Sequence, residues 1–270
     1  MTKMFRPVTV NRIFNFYLPE NQFFARWNMG GWEINDILIY SEPSAHDCPS
    51  DDHRFYSVHC NNISDLKKAL DIGMELVSLL RGFYTILNEK NQKVIELQKV
   101  VNSKTRQELY MDEAEFYFGL YQELGDTLES KLTPHEFHQY KLNAKENLVN
   151  SSMYLAQKQE NVGLYLLLKY FSMPLTWAIL YKIMETLETI EKHHDKGWSI
   201  TYTKAERTKF TNPANNFSLL QIDARHGLKF ESLKPNSGNI MTLDEAKIMF
   251  RTCTLSYLKY KYEELKTSEN

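Results

Sequence analysis

The sequence predicts an α+β protein: a small N-terminal β-sheet with one long helix, packed on a larger C-terminal helical bundle. β-branched and aromatic runs cluster in the first 60 residues, and helix-spaced apolar stripes with capping signals dominate from about residue 110. With 43% hydrophobic residues and only 10 Gly and 8 Pro, the chain can fill a sizeable core. The expected division is an α+β lobe over residues 1–108 and a helical bundle over residues 109–270.

Residues 8–18, 34–40 and 54–60 read as strands, separated by Gly30-Gly31 and the polar stretch 41–52. Residues 93–101 alternate in a way that suits strand or helix, and the strand reading is preferred. Between them, residues 64–87 form a helix. Ile63, Leu66, Leu70, Gly73, Val77, Leu80, Tyr84 and Leu87 recur at spacings of three and four, and Ile72, Leu76, Leu79 and Phe83 widen the stripe. A face this broad is expected to be buried against more than one neighbour, so this helix should join the sheet to the bundle.

Residues 111–128 are the next helical stretch. Thr133-Pro134-His135-Glu136 opens another: the Thr side chain caps, Pro occupies the first turn and Glu returns the capping bond. Helices over 161–171 and 174–193 follow, separated at Pro174, the second with Leu180, Ile183, Leu187 and Ile190 on one stripe. After a connector over 196–211, Asn212-Pro213 marks a helix start, and Gly227 provides a left-handed stop. Residues 228–240 read as a loop. A second capping box, Thr242-Leu243-Asp244-Glu245, opens a last helix that buries Ala246, Met249, Phe250, Cys253 and Tyr257 before fraying over 263–270.

A formal charge of -2, from 32 basic and 34 acidic residues, leaves no global field toward nucleic acid or membrane, so such binding must be local. Cys48, Cys60 and Cys253 cannot all pair within the chain, and the first residues lack the apolar stretch of a secretory signal, so a reducing cytoplasm is expected. The most apolar long segment, 162–190, is interrupted by Lys169, Pro174, Lys182, Glu185 and Glu188, and reads as buried helices rather than a membrane span.

P-loop, dinucleotide, serine-hydrolase and CxxC patterns are absent, and neither a metal nor a cofactor is expected. His46, Cys48, Asp51, Asp52, His53, His59 and Cys60 gather potential zinc ligands, but their spacing matches no ordinary zinc module. On a strand, His59 and Cys60 would face opposite sides. His135 with His138, and His193-His194-Asp195, read as surface and helix-end histidines. Residues 196–234 carry seven Lys or Arg against three acids, with Trp198, Tyr202, Phe210 and Phe217 interleaved. Such aromatics either stack unpaired bases or form core beneath a solvated rim, and core is the commoner case.

Arg225-His226-Gly227 combines a side chain that moves protons near neutral pH with a guanidinium that stabilises phosphorane-like charge, a pair suited to metal-independent RNA cleavage. The same residues also suit the last turn of a helix before a C′ glycine. Trp177, Tyr181, Glu185 and Glu188 form a polar edge on the preceding long helix. If that edge faces Arg225, Glu185 would hold it as a structural strut.

The succession WAILYKIMETLETIE, KFTNPANN, ARHG and MTLDEA, over about residues 160–262, resembles bacterial proteins with a HEPN-like helical C-terminal domain. That resemblance implies a dimerising bundle acting in conflict or phage defence, which engages RNA or a nucleotide and in active members cleaves RNA without metal. Arg225 would bind phosphate and His226 act as acid or base, with Asn215, Asn216, Tyr181 and Lys209 contacting substrate and Gly227 ending the helix. In the family motif a turn or two of helix separates Arg from His, whereas here the two are adjacent and diverge by about 100° on a helix. The alternative is a non-catalytic sensor or scaffold whose N-terminal lobe binds a protein partner and whose Arg-His turn locks the bundle.

Overall fold

The structure is a computed structural model that describes residues 10, 12–19, 34–42, 52–87, 95–115, 118–193, 195, 197–216, 220 and 240–268. Five strands, β1 (Phe14–Tyr17), β2 (Leu38–Glu42), β3 (Asp52–Tyr56), β4 (Lys99–Asn102) and β5 (Glu108–Tyr110), form an antiparallel sheet in the order β2-β3-β1-β4-β5. β3 and β4 both pair antiparallel with the central β1 and therefore run parallel to each other. Strands so related need a long crossover, and α1 (Leu66–Leu87) lies within it.

Phe16 stands opposite Phe55 and Val100, all three fully buried, and the two phenyl rings stack at 4.5 Å. α1 covers this face. It seats closely because residue 73 is glycine: a Cβ there would lie 2.6 Å from the Phe16 ring. The broad apolar surface of α1 packs on more than one neighbour, as its width requires, chiefly the sheet and α5 (Val162–Phe171).

The other α-helices among the described residues are α2 (Leu120–Lys131), α3 (Pro134–Ala144), α4 (Leu148–Ala156), α6 (Trp177–His193), α7 (Lys204–Ala214) and α8 (Leu243–Thr267). One hydrophobic core runs from Phe14 and Phe16 through α1 to Leu168, Leu187, Phe250 and Tyr257, continuous across residues 108 and 109. Leu180, Ile183, Leu187 and Ile190 of α6 are buried as their spacing predicts. On α8, Ala246, Phe250, Cys253 and Tyr257 are buried and Met249 is half-buried. Reciprocal capping boxes open α3 at Thr133–Glu136 and α8 at Thr242–Glu245. Among the described residues, no helix is long and apolar enough to cross a membrane.

Several boundaries differ from the sequence expectation, each for a local reason. The strand expected over 54–60 stops at Tyr56, because the Ser57 hydroxyl accepts the His59 N–H at 3.2 Å and winds Val58–Cys60 into a 3₁₀ turn. The helix expected over 111–128 is a 3₁₀ turn at Met111–Glu113 and then α2, whose start follows Gly119 in the left-handed region (φ 82). β5 is only three residues long, too short to show an alternation, and α4 hides its periodicity by burying Asn150, Ser151 and Ser152.

The largest correction concerns α7. Asn212-Pro213 does not open a helix: Thr203 and Glu206 form the capping box that starts α7 at Lys204, and Pro213 lies in its last turn. Pro213 has no N–H to give the Lys209 carbonyl, and the Met241 N–H reaches that carbonyl instead at 3.3 Å. A contact 28 positions away in sequence thus allows a proline to end the helix. Of the segment expected to run helically to Gly227, the described residues beyond Asn216 comprise Leu220 alone.

Candidate ligand pocket

Where α1 passes from the sheet to α5, the structure forms a partly open pocket of about 710 Å³. Met74, Val77, Ser78 and Arg81 line one wall, at the i, i+3, i+4, i+7 spacing that places them on one face of α1. Tyr165, Leu166, Lys169 and Tyr170 of α5 form the facing wall, and Glu96 and Leu97, leading into β4, close a third side. Met111, Phe118 and Met173 stand around it at 48%, 73% and 42% exposure, so large apolar side chains that burial would normally claim are left at its rim.

The polar groups are few and specifically placed. Glu75, 3% exposed, accepts hydrogen bonds from the Tyr165 hydroxyl at 2.7 Å and from Lys169 Nζ at 2.6 Å. Lys169 Nζ also donates to Ser78 Oγ at 2.8 Å. Burial, and then the Glu75 carboxylate, hold the Tyr165 hydroxyl protonated well above the ordinary tyrosine range, so it acts as a donor. Arg81 is fixed differently: its Nε donates to the Ile95 carbonyl at 2.8 Å, while its Nη2 lies 3.8 Å from Glu96 Oε1, outside hydrogen-bond reach.

A second polar constellation is wholly enclosed. Asp36 Oδ1 meets His59 Nε2 at 2.6 Å and accepts from the Tyr140 hydroxyl at 2.6 Å and Gln157 Nε2 at 3.0 Å, with Tyr121 bonded to the same Gln157. Beside it, Asn35 donates its N–H to Asn150 Oδ1 and its Nδ2 to the Tyr140 carbonyl, and accepts from Asn143 Nδ2. Asp36, His59, Tyr121 and Tyr140 are all 0% exposed, so no substrate reaches them. Burial, and then the Asp36 charge, push both tyrosine hydroxyls well above their ordinary range and keep them protonated. This cluster pins the turn before β2 to α3 and α4.

Of the potential zinc ligands gathered between His46 and Cys60, whose spacing matches no zinc module, His59 is committed to Asp36 and Cys60 is a free thiol that burial pushes up to about 12. No group of three potential metal ligands occurs among the described residues. His46, Cys48 and Asp51 lie outside the described residues. His135, His138 and His193 are exposed.

Arg225, His226 and Gly227 also lie outside the described residues. Of the groups assigned around them, Asn215 and Asn216 close the end of α7 through their N–H bonds to the Thr211 and Pro213 carbonyls. Tyr181 packs 6.1 Å from the Phe210 ring, and Glu185 is exposed on α6. Lys209 lines a shallow groove with Tyr202, Glu206 and Glu245. Arg207 pairs with Glu188 through Nε at 2.5 Å and Nη2 at 3.0 Å. Trp198 (6% exposed) and Phe210 (0%) are core residues, so the described part of the basic region follows the commoner structural reading.

The sheet face away from α1 carries Tyr17, Arg54 and Lys99 as cross-strand neighbours. Its cations are already engaged: Arg54 sits 4.4 Å over the Tyr17 ring and Lys99 bonds Glu108 at 2.6 Å. The pocket is therefore the better-equipped site. Sequence reasoning missed Glu75, Ser78, Arg81 and Lys169. The available signal was Lys169 within the apolar run of α5, together with an acid two positions along from Gly73 on the broad stripe of α1.

Fold and cavity together define an α+β protein with an apolar pocket at the junction of its sheet and its helical bundle. No family model, curated protein or solved structure matches the chain.

Proposed function

We propose that this protein binds a small, mainly apolar organic molecule in the α1–α5 pocket and acts as a non-catalytic sensor of it, a reading distinct from the protein-binding scaffold raised by the sequence. The supporting observation is the cavity of about 710 Å³ lined by apolar side chains with a few converging polar groups. Ligand sites of drug-sized molecules have that size and composition. α1 packs on both the sheet and α5, so a ligand held between them contacts both parts of the molecule. Methionines at the rim adapt their shape to a ligand at low cost.

Titration with the neutral amphiphile decanol, below its aggregation limit, tests this reading by calorimetry and by thermal melting. A saturable rise in Tm is expected, equivalent to about 2.7 kcal/mol at a ligand concentration of roughly 100 Kd. Leu166→Trp, which fills the cavity from a half-buried position, should abolish the rise while leaving the protein folded. Unsaturable binding, or undiminished binding by folded Leu166→Trp, would overturn it.

A further inference from the structure

We infer that the ligand of this pocket is an amphipathic carboxylate, its apolar body between α1 and α5 and its head on Arg81. This inference rests on the pocket reading above and adds the charge and shape of the head group.

Of the charged groups at the cavity, Lys169 is saturated: it sits between the Glu75 carboxylate and the Ser78 hydroxyl at 2.6 and 2.8 Å, and Glu75 is itself held by Tyr165. Arg81 is not. Its Nε bond to the Ile95 carbonyl fixes the guanidinium plane, yet its Nη donors make no hydrogen bond to any described residue. The nearest anion, Glu96, stays at 3.8 Å with its side chain 51% exposed. Exposed pairs at such separations contribute little, so an incoming anion displaces Glu96 at small cost.

A guanidinium whose Nη atoms hydrogen-bond no described residue offers donors in a rigid fork that matches the two oxygens of a carboxylate. Because the backbone bond already orients it, little side-chain freedom is lost on binding. Charge selects the head group further. A monoanion balances Arg81, whereas the second charge of a phosphate monoester would face both Glu96 and Glu75. The apolar lining selects the body: Met74, Val77, Leu97 and Leu166 offer no hydrogen-bonding side chain to a sugar or a base.

The test compares decanoate, decanol and decyl phosphate at pH 8, each below its aggregation limit, on wild type, Arg81→Gln, Glu96→Gln and Leu166→Trp. Decanoate should bind about tenfold or more tightly than decanol, as expected for hydrogen bonds to a charged group. Arg81→Gln should erase that preference, bringing decanoate affinity down to about that of decanol. Glu96→Gln, at an exposed position that does not threaten folding, should strengthen decanoate binding two- to fivefold, within about the range of an exposed pair. Equal affinities for decanoate and decanol, or a preference that survives Arg81→Gln, would overturn the assignment of the head group. Decyl phosphate binding as tightly as decanoate would overturn the choice of carboxylate. If neither amphiphile binds, or Leu166→Trp binds both, the pocket reading itself fails, and this inference with it.

Discussion

Gly82→Ala separates helix propensity from tertiary packing because the two give opposite signs. Gly82 lies inside α1, where alanine is favoured over glycine by about 1 kcal/mol. In the folded protein, however, a Cβ at position 82 would lie 1.9 Å from the Leu168 carbonyl oxygen and 2.7 Å from its carbon, both backbone atoms of α5. Carbon–oxygen contacts settle near roughly 3.3 Å, so α1 and α5 would have to part by more than an ångström. The atoms that must yield belong to a helix backbone and cannot rotate away. Overpacking of this kind costs about 3 kcal/mol at the upper end of its usual range, and a radial gap near 1 Å forfeits about half of each dispersion contact along the seam. After subtracting the propensity gain, the expected net loss is about 2 kcal/mol, read as a lowered urea midpoint. Gly163→Ala is the comparison. Its Cβ would meet only the Ile190 side-chain tip, Cγ1 at 2.9 Å and Cδ1 at 3.0 Å, which can change rotamer, so its cost should be below about 1 kcal/mol. A Gly82→Ala protein as stable as wild type would refute the close α1–α5 crossing, and with it the geometry of the pocket walls.

Tyr140→Phe removes one hydrogen bond to the buried Asp36 carboxylate and should cost about 1.5–3 kcal/mol, while Asp36→Ala, which strands His59 and Gln157 as well, should cost more; equal small losses would show that the cluster does not carry that load. Alkaline stability follows from the buried thiol: Cys60 ionises near 9 when unfolded but is pushed up to about 12 by burial, so between those values the unfolded chain holds fewer protons and stability falls as pH rises. Each such group contributes a slope of about 1.4 kcal/mol per pH unit, and Cys60→Ala should flatten urea midpoints plotted from pH 9 to 11 by that amount. RNA cleavage at Arg225 and His226, the proposal attached to the HEPN-like resemblance, predicts that His226→Ala loses cleavage of single-stranded RNA at unchanged Tm; a fall in Tm without any wild-type cleavage would assign the residue to the bundle instead.

Local signals in the sequence were enough for the α+β class, for α1 and for the openings of α3 and α8. Helix periodicity and capping boxes act over a few residues, and the Thr133–Glu136 and Thr242–Glu245 pairs close their bonds within one turn. The width of the α1 stripe even indicated that the helix has more than one partner. What escaped was whatever a distant residue completes. Pro213 reads as a helix start until Met241 supplies an N–H to the carbonyl that the proline leaves empty. His59 reads as a strand residue near other metal ligands until Asp36 and Ser57 take its side chain and backbone.

The pocket follows the same division. By itself the sequence determined that α1 and α5 are apolar helices and that Lys169 interrupts the second. Only the tertiary structure decided that Glu75 lies 2.6 Å from that lysine, that the Ile95 carbonyl holds Arg81 Nε, and that side chains of α1, α5 and the approach to β4 line one pocket. Periodicity specifies which face of a helix turns inward, but which charges meet across two helices depends on how closely Gly73 and Gly82 let α1 approach its neighbours, and that distance belongs to the packed structure alone.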